Sequence, residues 1–143
     1  MVEILNRRAK FDYFIEDEIE CGIELVGTEI KSFRKGSASI ADSYALVRNN
    51  EVYLLNSYIA KYEEGNRFNH EERRNRKLLL HKDEIRKLSE KVKLQGISLI
   101  PLKIYFKGNK VKVLLGVCKG KKLYDKRETI KQRDLSRETR KEY

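Results

Sequence analysis

Catalysis needs a nucleophile beside a base, a carboxylate pair or a cluster of metal ligands, and few side chains here could do such work. His70 and His81 are the only histidines, and neither stands at a spacing that pairs it with Cys21, Cys118 or a second ligand. Neither a P-loop nor a dinucleotide-type glycine loop is present, and the carboxylates are mixed with cations as on a solvated surface. The expectation is a protein without catalytic activity, metal or cofactor. Four clusters instead carry donors suited to phosphates and bases. Asn6, Arg7, Arg8 and Lys10 precede the first long apolar-periodic run, and Lys31, Arg34 and Lys35 surround a short helical pattern. A polar stretch supplies Arg67, Asn69, His70, Arg73, Arg74, Arg76 and Lys77, with Phe68 able to stack; Lys103, Lys107, Lys110 and Lys112 decorate a later hairpin. Guanidinium groups grip phosphate oxygens in pairs, and Asn or His can read exposed base edges.

The elements that must position these groups are mostly strands. Phe11, Tyr13 and Ile15, then Ile19, Cys21, Ile23 and Leu25, place apolar residues at odd positions with polar ones between, the period of a half-buried strand. Asp42 to Ile59 reads as a hairpin turning at Asn49-Asn50, and Ile97 to Cys118 as a second turning at Gly108-Asn109. Lys82 to Gln95 sets Ile85, Leu88 and Val92 on one helical face with Gly96 as the stop, and Thr28 to Lys35 fits a shorter helix with Ile30 and Phe33 on one side. Tyr62 to Lys77 lacks periodicity and reads as a long loop. The expected fold is mainly β: an OB-like six-stranded antiparallel β-barrel with two or three small helices and a disordered basic C-terminal tail. Cys21 and Cys118 sit alone in apolar runs and read as reduced core thiols.

Charge divides the chain. Of a net +10, residues 120–143 hold nine Lys or Arg against five Asp or Glu, so +4 falls on this tail and +6 on the rest. Only Leu123, Tyr124, Ile130, Leu135 and Tyr143 are apolar there, too little to offset roughly 1–2 kcal/mol of backbone entropy per ordered residue. Residues 1–119 are therefore expected to form the barrel and 120–143 a tail that is unfolded until it meets a polyanion. On a helical projection Arg133, Arg137 and Lys141 form one stripe beside Asp134, Glu138 and Glu142. Facing phosphates would relieve the self-repulsion of the cations, so binding is expected to order Asp125 to Lys141 as a helix. No apolar run approaches a membrane span and the N-terminus lacks a signal-peptide pattern, so a cytoplasmic protein is expected.

The stretches NRRAKFDYFIEDEIECGIELVGTEIKSFRKG, DSYALV, FNHEERRNRKLLLHKDEI, the run around PLKIYFK, and GKKLYDKR resemble, in this order, the SmpB family, the SsrA-binding proteins of bacterial trans-translation. The resemblance covers almost the whole chain. It implies binding to the tRNA-like domain of transfer-messenger RNA (SsrA RNA) and its delivery to stalled ribosomes. It also implies that the tail enters the small-subunit decoding centre and the empty messenger channel, enabling ribosome rescue and peptide tagging. Elongation factor Tu is expected to join through the aminoacylated RNA, and the free protein to be a monomer. The alternative is a general OB-type ribosomal or single-stranded RNA-binding protein, which would show no preference for a tRNA-like elbow.

Carried over by matching position, the resemblance implies an RNA-binding surface of Asn6, Arg8, Glu20, Glu29, Lys31, Arg34, Asn69, His70, Arg74, Arg76, Lys77, Leu79 and His81. An acid such as Glu20 is not called for by charge, but a carboxylate can accept hydrogen bonds from base amino groups and penalise wrong poses. For the tail it implies ribosome contacts by Gly120, Lys121, Lys122, Tyr124, Asp125, Lys126, Arg127, Lys131 and Arg133, with Gly120 as hinge and Tyr124 stacking on a decoding-centre base. Ala60-Lys61 stands where many relatives have a Ser-Pro or Thr-Pro turn, and Glu72 where Pro is common; both alter loop stiffness more than chemistry.

Overall fold

The computed structural model describes residues 2–64, 69–94 and 96–120. The chain begins with β1 (Glu3–Leu5), α1 (Ala9–Asp12), β2 (Tyr13–Ile23) and α2 (Gly27–Arg34), followed by β3 (Ala38–Ser39). Then come β4 (Tyr44–Arg48), β5 (Glu51–Leu55), β6 (Tyr58–Ile59), β7 (Arg76–Leu79), α3 (Lys82–Val92), β8 (Ile97–Lys107) and β9 (Lys110–Gly120). The strands β8, β4, β5, β7, β2 and β9 pair antiparallel in that order, and the β8–β9 hairpin closes them into a six-membered ring. β1 adds to β8 beside the ring, while β3 and β6 form a separate two-stranded ribbon. Two joints of the ring are thin. β4 meets β8 at the single pair Ala45 and Leu99, and β2 meets β7 through Gly22–Leu79 and Ile23–Leu78.

Both hairpins form as the turn chemistry requires. Asn49 and Asn50 take φ of 52° and 61°, the left-handed pair of a turn whose twist matches its strands, and Gly108 takes 65° at the second. The first hairpin is shorter than its apolar pattern. Asn56, at φ 61°, turns the chain after Leu55 and donates from Nδ2 to the Asp42 carbonyl, so Tyr58 and Ile59 leave the hairpin for the β3 ribbon. The expected long loop is also shorter, because Arg76 and Lys77 pair with Leu54 and Tyr53 as the start of β7.

α3 turns Leu88 into the core with Ile85 and Val92 packed beside it. Its first turn is held by Glu84, whose carboxylate accepts the His81 N–H at 2.9 Å. The helix ends at Val92, short of the expected Gln95, while Gly96 takes φ 84°. Phe33 of α2 is fully buried and stacks on Phe106 with ring centroids 5.0 Å apart. Cys21 and Cys118 are free and buried, and burial pushes their thiols up to about 12 and about 11, which keeps them protonated.

Two expectations fail at the ends of the ring. Phe11 does not begin a strand: it lies on the one-turn helix α1 with its side chain 80% exposed, because the turn Asn6 to Ala9 starts a helix that buries Ala9 instead. Gly120 is not the opening residue of a tail but the last of β9, paired with Tyr13. Residues 121–143, and with them the expected unfolded tail and its helix, lie outside the described residues.

A bulge re-aims β8. Pro101 pairs with Leu115 and Lys103 with Leu114, leaving Leu102 unpaired, its carbonyl accepting the Asn6 N–H at 2.9 Å. A Cβ on Gly116 would lie 3.0 Å from two Leu102 side-chain carbons and 3.1 Å from Cys118 Sγ, so a larger residue under the bulge would force Leu102 and Cys118 to give by a few tenths of an ångström. Gly116→Ala is expected to destabilise the ring by about 1–3 kcal/mol through overpacking, measured as a lower urea midpoint at unchanged m-value.

Candidate nucleic-acid interface

Glu29 anchors the site although it faces no solvent. It lies on the first turn of α2, fully buried, and its Oε1 accepts the Val26 N–H at 2.9 Å and Arg74 Nη2 at 2.7 Å. Its Oε2 accepts Arg74 Nε at 3.2 Å and Arg76 Nε at 2.7 Å. Arg76 is fully buried too, and donates onward to the Ser57 hydroxyl and to the carbonyls of Ser57, Arg74 and Glu72. Burial alone would raise the Glu29 carboxyl, but hydrogen bonds from Arg74, the Val26 amide and Arg76 outweigh it and hold the group below its ordinary value. One carboxylate thus ties α2 to β7 and to the segment leading into it.

His70 makes a second tie. Its Nε2 donates to the Ile59 carbonyl at 2.9 Å, which leaves Nδ1 facing the Thr28 hydroxyl at 2.8 Å. Asn69 accepts the Tyr62 N–H on Oδ1 at 2.8 Å and donates from Nδ2 to the Tyr62 carbonyl, closing the loop whose residues 65–68, including Arg67 and Phe68, lie outside the described residues. Asn6 is buried as well, donating to the carbonyls of Pro101 at 3.0 Å and Ile40 at 3.4 Å. Of the residues expected on the surface, Asn6, Glu29, His70 and Arg76 are therefore interior groups with protein partners.

The exposed members divide between three places. Glu20, Leu79 and His81 come together in a cleft of about 600 Å³, joined by Gly22, Leu25, Ile30 and Glu84 and by Lys110 and Lys112 from the tip of the β8–β9 hairpin. Leu79 is 45% exposed there. Lys31 and Arg34 project from α2: Lys31 Nζ lies 5.5 Å from the Tyr62 ring centroid and the Arg34 guanidinium 5.6 Å from that of Phe106. Arg74 reaches the surface in part while its fork holds Glu29. Lys77 and Arg8 lie elsewhere. Lys77 pairs with Glu51 across β5 and β7, and Arg8, near Asp12 at 3.9 Å, lines a larger cleft of about 650 Å³ that includes Asn6, Ser43, Tyr44 and Ile97. That cleft shares no lining residue with the first and occupies the other end of the β8–β9 hairpin.

Glu20 itself is held. On the outer face of the sheet its Oε2 accepts the Tyr105 hydroxyl and its Oε1 accepts Lys107 Nζ at 3.1 Å. These bonds, the Tyr105 one foremost, keep the carboxyl below its ordinary value. The Tyr105 hydroxyl, through burial and then this bond, is pushed up to about 12. Lys103 lies 4.9 Å over the Tyr105 ring. The cleft walls thus carry Lys110 and Lys112 against Glu20 and Glu84, with Lys107 on Glu20 and Lys103 over Tyr105 beside them. Tyr105 was not expected at the site; alternation along β8 gives its face, but nothing in the sequence pairs it with Glu20, a residue of β2 brought close only because β9 lies between them. Among the described residues no group of His, Cys, Asp or Glu could hold a metal ion.

An OB-like antiparallel ring with a cleft at one hairpin tip and cations around its mouth is a small binding domain. The family model described as SmpB protein matches residues 3–143, and the chain belongs to that family. It is 58% identical over 142 residues to the SsrA-binding protein of Staphylococcus saprophyticus, covering 96% of this chain and 92% of that one. It is 59% identical over 133 residues to the SsrA-binding protein of Staphylococcus epidermidis, covering 93% and 85%. A solved chain from "tmRNA-SmpB: a journey to the center of the bacterial ribosome" superposes with a TM-score of 0.75 at 48% identity, over 96% of each chain.

Glu29→Gln is expected to cost about 3–5 kcal/mol, because it leaves the interior guanidinium of Arg76, and the partly exposed one of Arg74, facing a neutral amide. Since the folded Glu29 carboxyl lies below its ordinary 4.5, its stabilisation is complete above that pH and fades as pH falls toward the lower folded value. Urea titrations should therefore show the gap between wild type and variant constant above pH 4.5 and narrowing below it.

Proposed function

We propose that the protein binds the tRNA-like domain of transfer-messenger RNA and carries it to stalled ribosomes, acting in trans-translation without catalysis of its own. The observation that carries this reading is the joint one of a family match over residues 3–143 and a 48% identical chain from a tmRNA-SmpB structure. The geometry supports it: the cleft between Glu20, Leu79 and His81 is wide enough for an unstacked base, while Lys110 and Lys112 in its wall offer cations to a flanking backbone. Buried Glu29, His70, Arg76 and Asn6 serve binding indirectly, by fixing α2, β7 and β8 under the exposed groups.

Phosphate contacts are salt-dependent because each neutralised phosphate releases counterions, whereas a base slot is not. Lys112→Ala is thus expected to weaken binding about equally for all sequences and to lower the slope of log K against log salt by about 1, while Leu79→Ala weakens binding at unchanged slope. Gel-shift titrations at several salt concentrations distinguish the two.

The tail completes the reading. Lys121, Lys122, Lys126, Arg127, Lys131 and Arg133 would follow phosphates of the decoding centre and of a messenger channel left empty by stalling, and a filled channel would exclude them. Tyr124 would stack on an exposed base, a contact worth roughly 1–3 kcal/mol. The site of action is then the cytoplasm, with elongation factor Tu engaged through the charged RNA. Tyr124→Ala should bind free transfer-messenger RNA like wild type yet tag stalled peptides poorly; equal tagging would remove the tail from the mechanism. A chain ending at Gly120, which keeps β9 whole, should retain preference for transfer-messenger RNA over tRNA, and equal competition by tRNA would favour a general RNA-binding protein.

A further inference from the structure

We propose that in the free protein the chain just past β9 folds back onto the ring, seating Leu123 and Tyr124 in the Asn6–Tyr44 cleft with the Tyr124 hydroxyl between Asn6 Oδ1 and Ser43 Oγ. This cleft follows the thin seam of the ring. It is lined by residues 44–47 of β4 and 97–100 of β8, two strands that pair only at Ala45 and Leu99. Two polar atoms of its lining residues are buried without a hydrogen-bond partner among the described residues, Asn6 Oδ1 and Ser43 Oγ. Asn6 is only 8% exposed and Ser43 3%, so bulk solvent does not serve them. They are neighbours, because Asn6 Nδ2 and the Ser43 N–H both donate to the Ile40 carbonyl, at 3.4 and 3.2 Å. Asn6 Oδ1 can only accept and the Ser43 hydroxyl can donate, so one incoming hydroxyl answers both.

The rest of the lining calls for an apolar body behind that hydroxyl. Ala9, Leu99 and Ile100 are buried there, and Tyr44 and Leu46 leave apolar surface exposed. A water molecule could join the two oxygens but would leave that surface uncovered; a phenol serves both. The course of the chain delivers one. Gly120 ends β9 opposite Tyr13, and Lys119 lies opposite Ile97; both partners line the cleft, so the chain leaves the ring beside it. Four more residues span at most roughly 14 Å, enough to bring Tyr124 over the cleft. In Lys121-Lys122-Leu123-Tyr124 the last two are the first apolar residues after β9. Charge agrees: Asp12 and Asp42 outnumber Arg8 in the lining, so on a protein of net +10 this cleft is locally negative and suits two lysines better than a phosphate. Seated there, Tyr124 is withheld from bystander RNA until a stronger stacking partner takes it.

Nuclear magnetic resonance of the full-length protein without RNA tests this, comparing wild type with Tyr124→Phe, which keeps the ring and removes the hydroxyl, and with Tyr124→Ala. In wild type the Tyr124 ring protons should cross-relax with the methyl groups of Ile97 or Leu99. The Tyr124 amide should exchange about tenfold below its intrinsic rate, as a segment seated about nine-tenths of the time requires. Tyr124→Phe should move the resonances of the Asn6 side-chain amide and the Ser43 backbone amide. Tyr124→Ala should move them too and abolish the protection, while the Glu20 and Leu79 resonances of the other cleft stay in place in both variants. Asn6 and Ser43 resonances that coincide in all three proteins would overturn the inference and leave the two oxygens to water. Cross-relaxation of Tyr124 with a different face of the ring would overturn it as well, and a shift caused by Tyr124→Ala alone would overturn the hydroxyl bridge. None of these outcomes depends on whether the Glu20 cleft binds RNA.

Discussion

The fold of the binding face depends on one buried carboxylate. Glu29 has no contact with water, yet it carries the N-terminus of α2, the approach to β7 and the interior guanidinium of Arg76 on its two oxygens. An ion pair taken out of water contributes little net stability, because desolvation cancels most of the attraction; what it supplies is intolerance of any other arrangement. Shifting α2 by one turn would leave Arg76 facing apolar neighbours. The register of α2 therefore sets where Lys31 and Arg34 emerge, and α2 needs such a device because its eight residues are too few to be stable alone.

The ring meets a different constraint. Its closure depends on long bent strands, and the bulges in β2 and β8 supply the bend: register slips between Ile15 and Asp17 and again between Pro101 and Lys103. The second slip lays Leu102 over Gly116 and turns its carbonyl to Asn6, which brings β1 against β8. The same curvature carries Tyr105 across β9 to Glu20 on β2. Packing in the ring and geometry at the cleft are thus one arrangement, and the polar face of three strands acts as a unit.

Much of this was legible in the chain. Asn49-Asn50 and Gly108 marked both turns, the spacing of Ile85, Leu88 and Val92 marked α3, and six strands were expected where six close the ring. Period two misled at Phe11, because a single helical turn leaves no periodicity to detect, and at Tyr58 and Ile59, where Asn56 diverts an apolar run to another partner. At the site, residue type marked Arg76, Glu29 and His70 as polar without indicating their burial. A cation at a β position reads as solvated unless its partner is known, and Glu29 is 47 residues from Arg76. The Glu20–Tyr105 contact spans 85 residues and was invisible for the same reason.

One face is proposed to bind the RNA, with bases at the cleft of Glu20, Leu79 and His81 and phosphates on the lysines beside it. Backbone amide hydrogen exchange of the full-length protein, with and without the tRNA-like domain of transfer-messenger RNA, tests this most directly. Added protection confined to the end of β2, α2, the β7–α3 junction and the tip of the β8–β9 hairpin is the predicted result. Protection centred instead on the Asn6–Tyr44 cleft, with the Glu20 cleft unchanged, would contradict it.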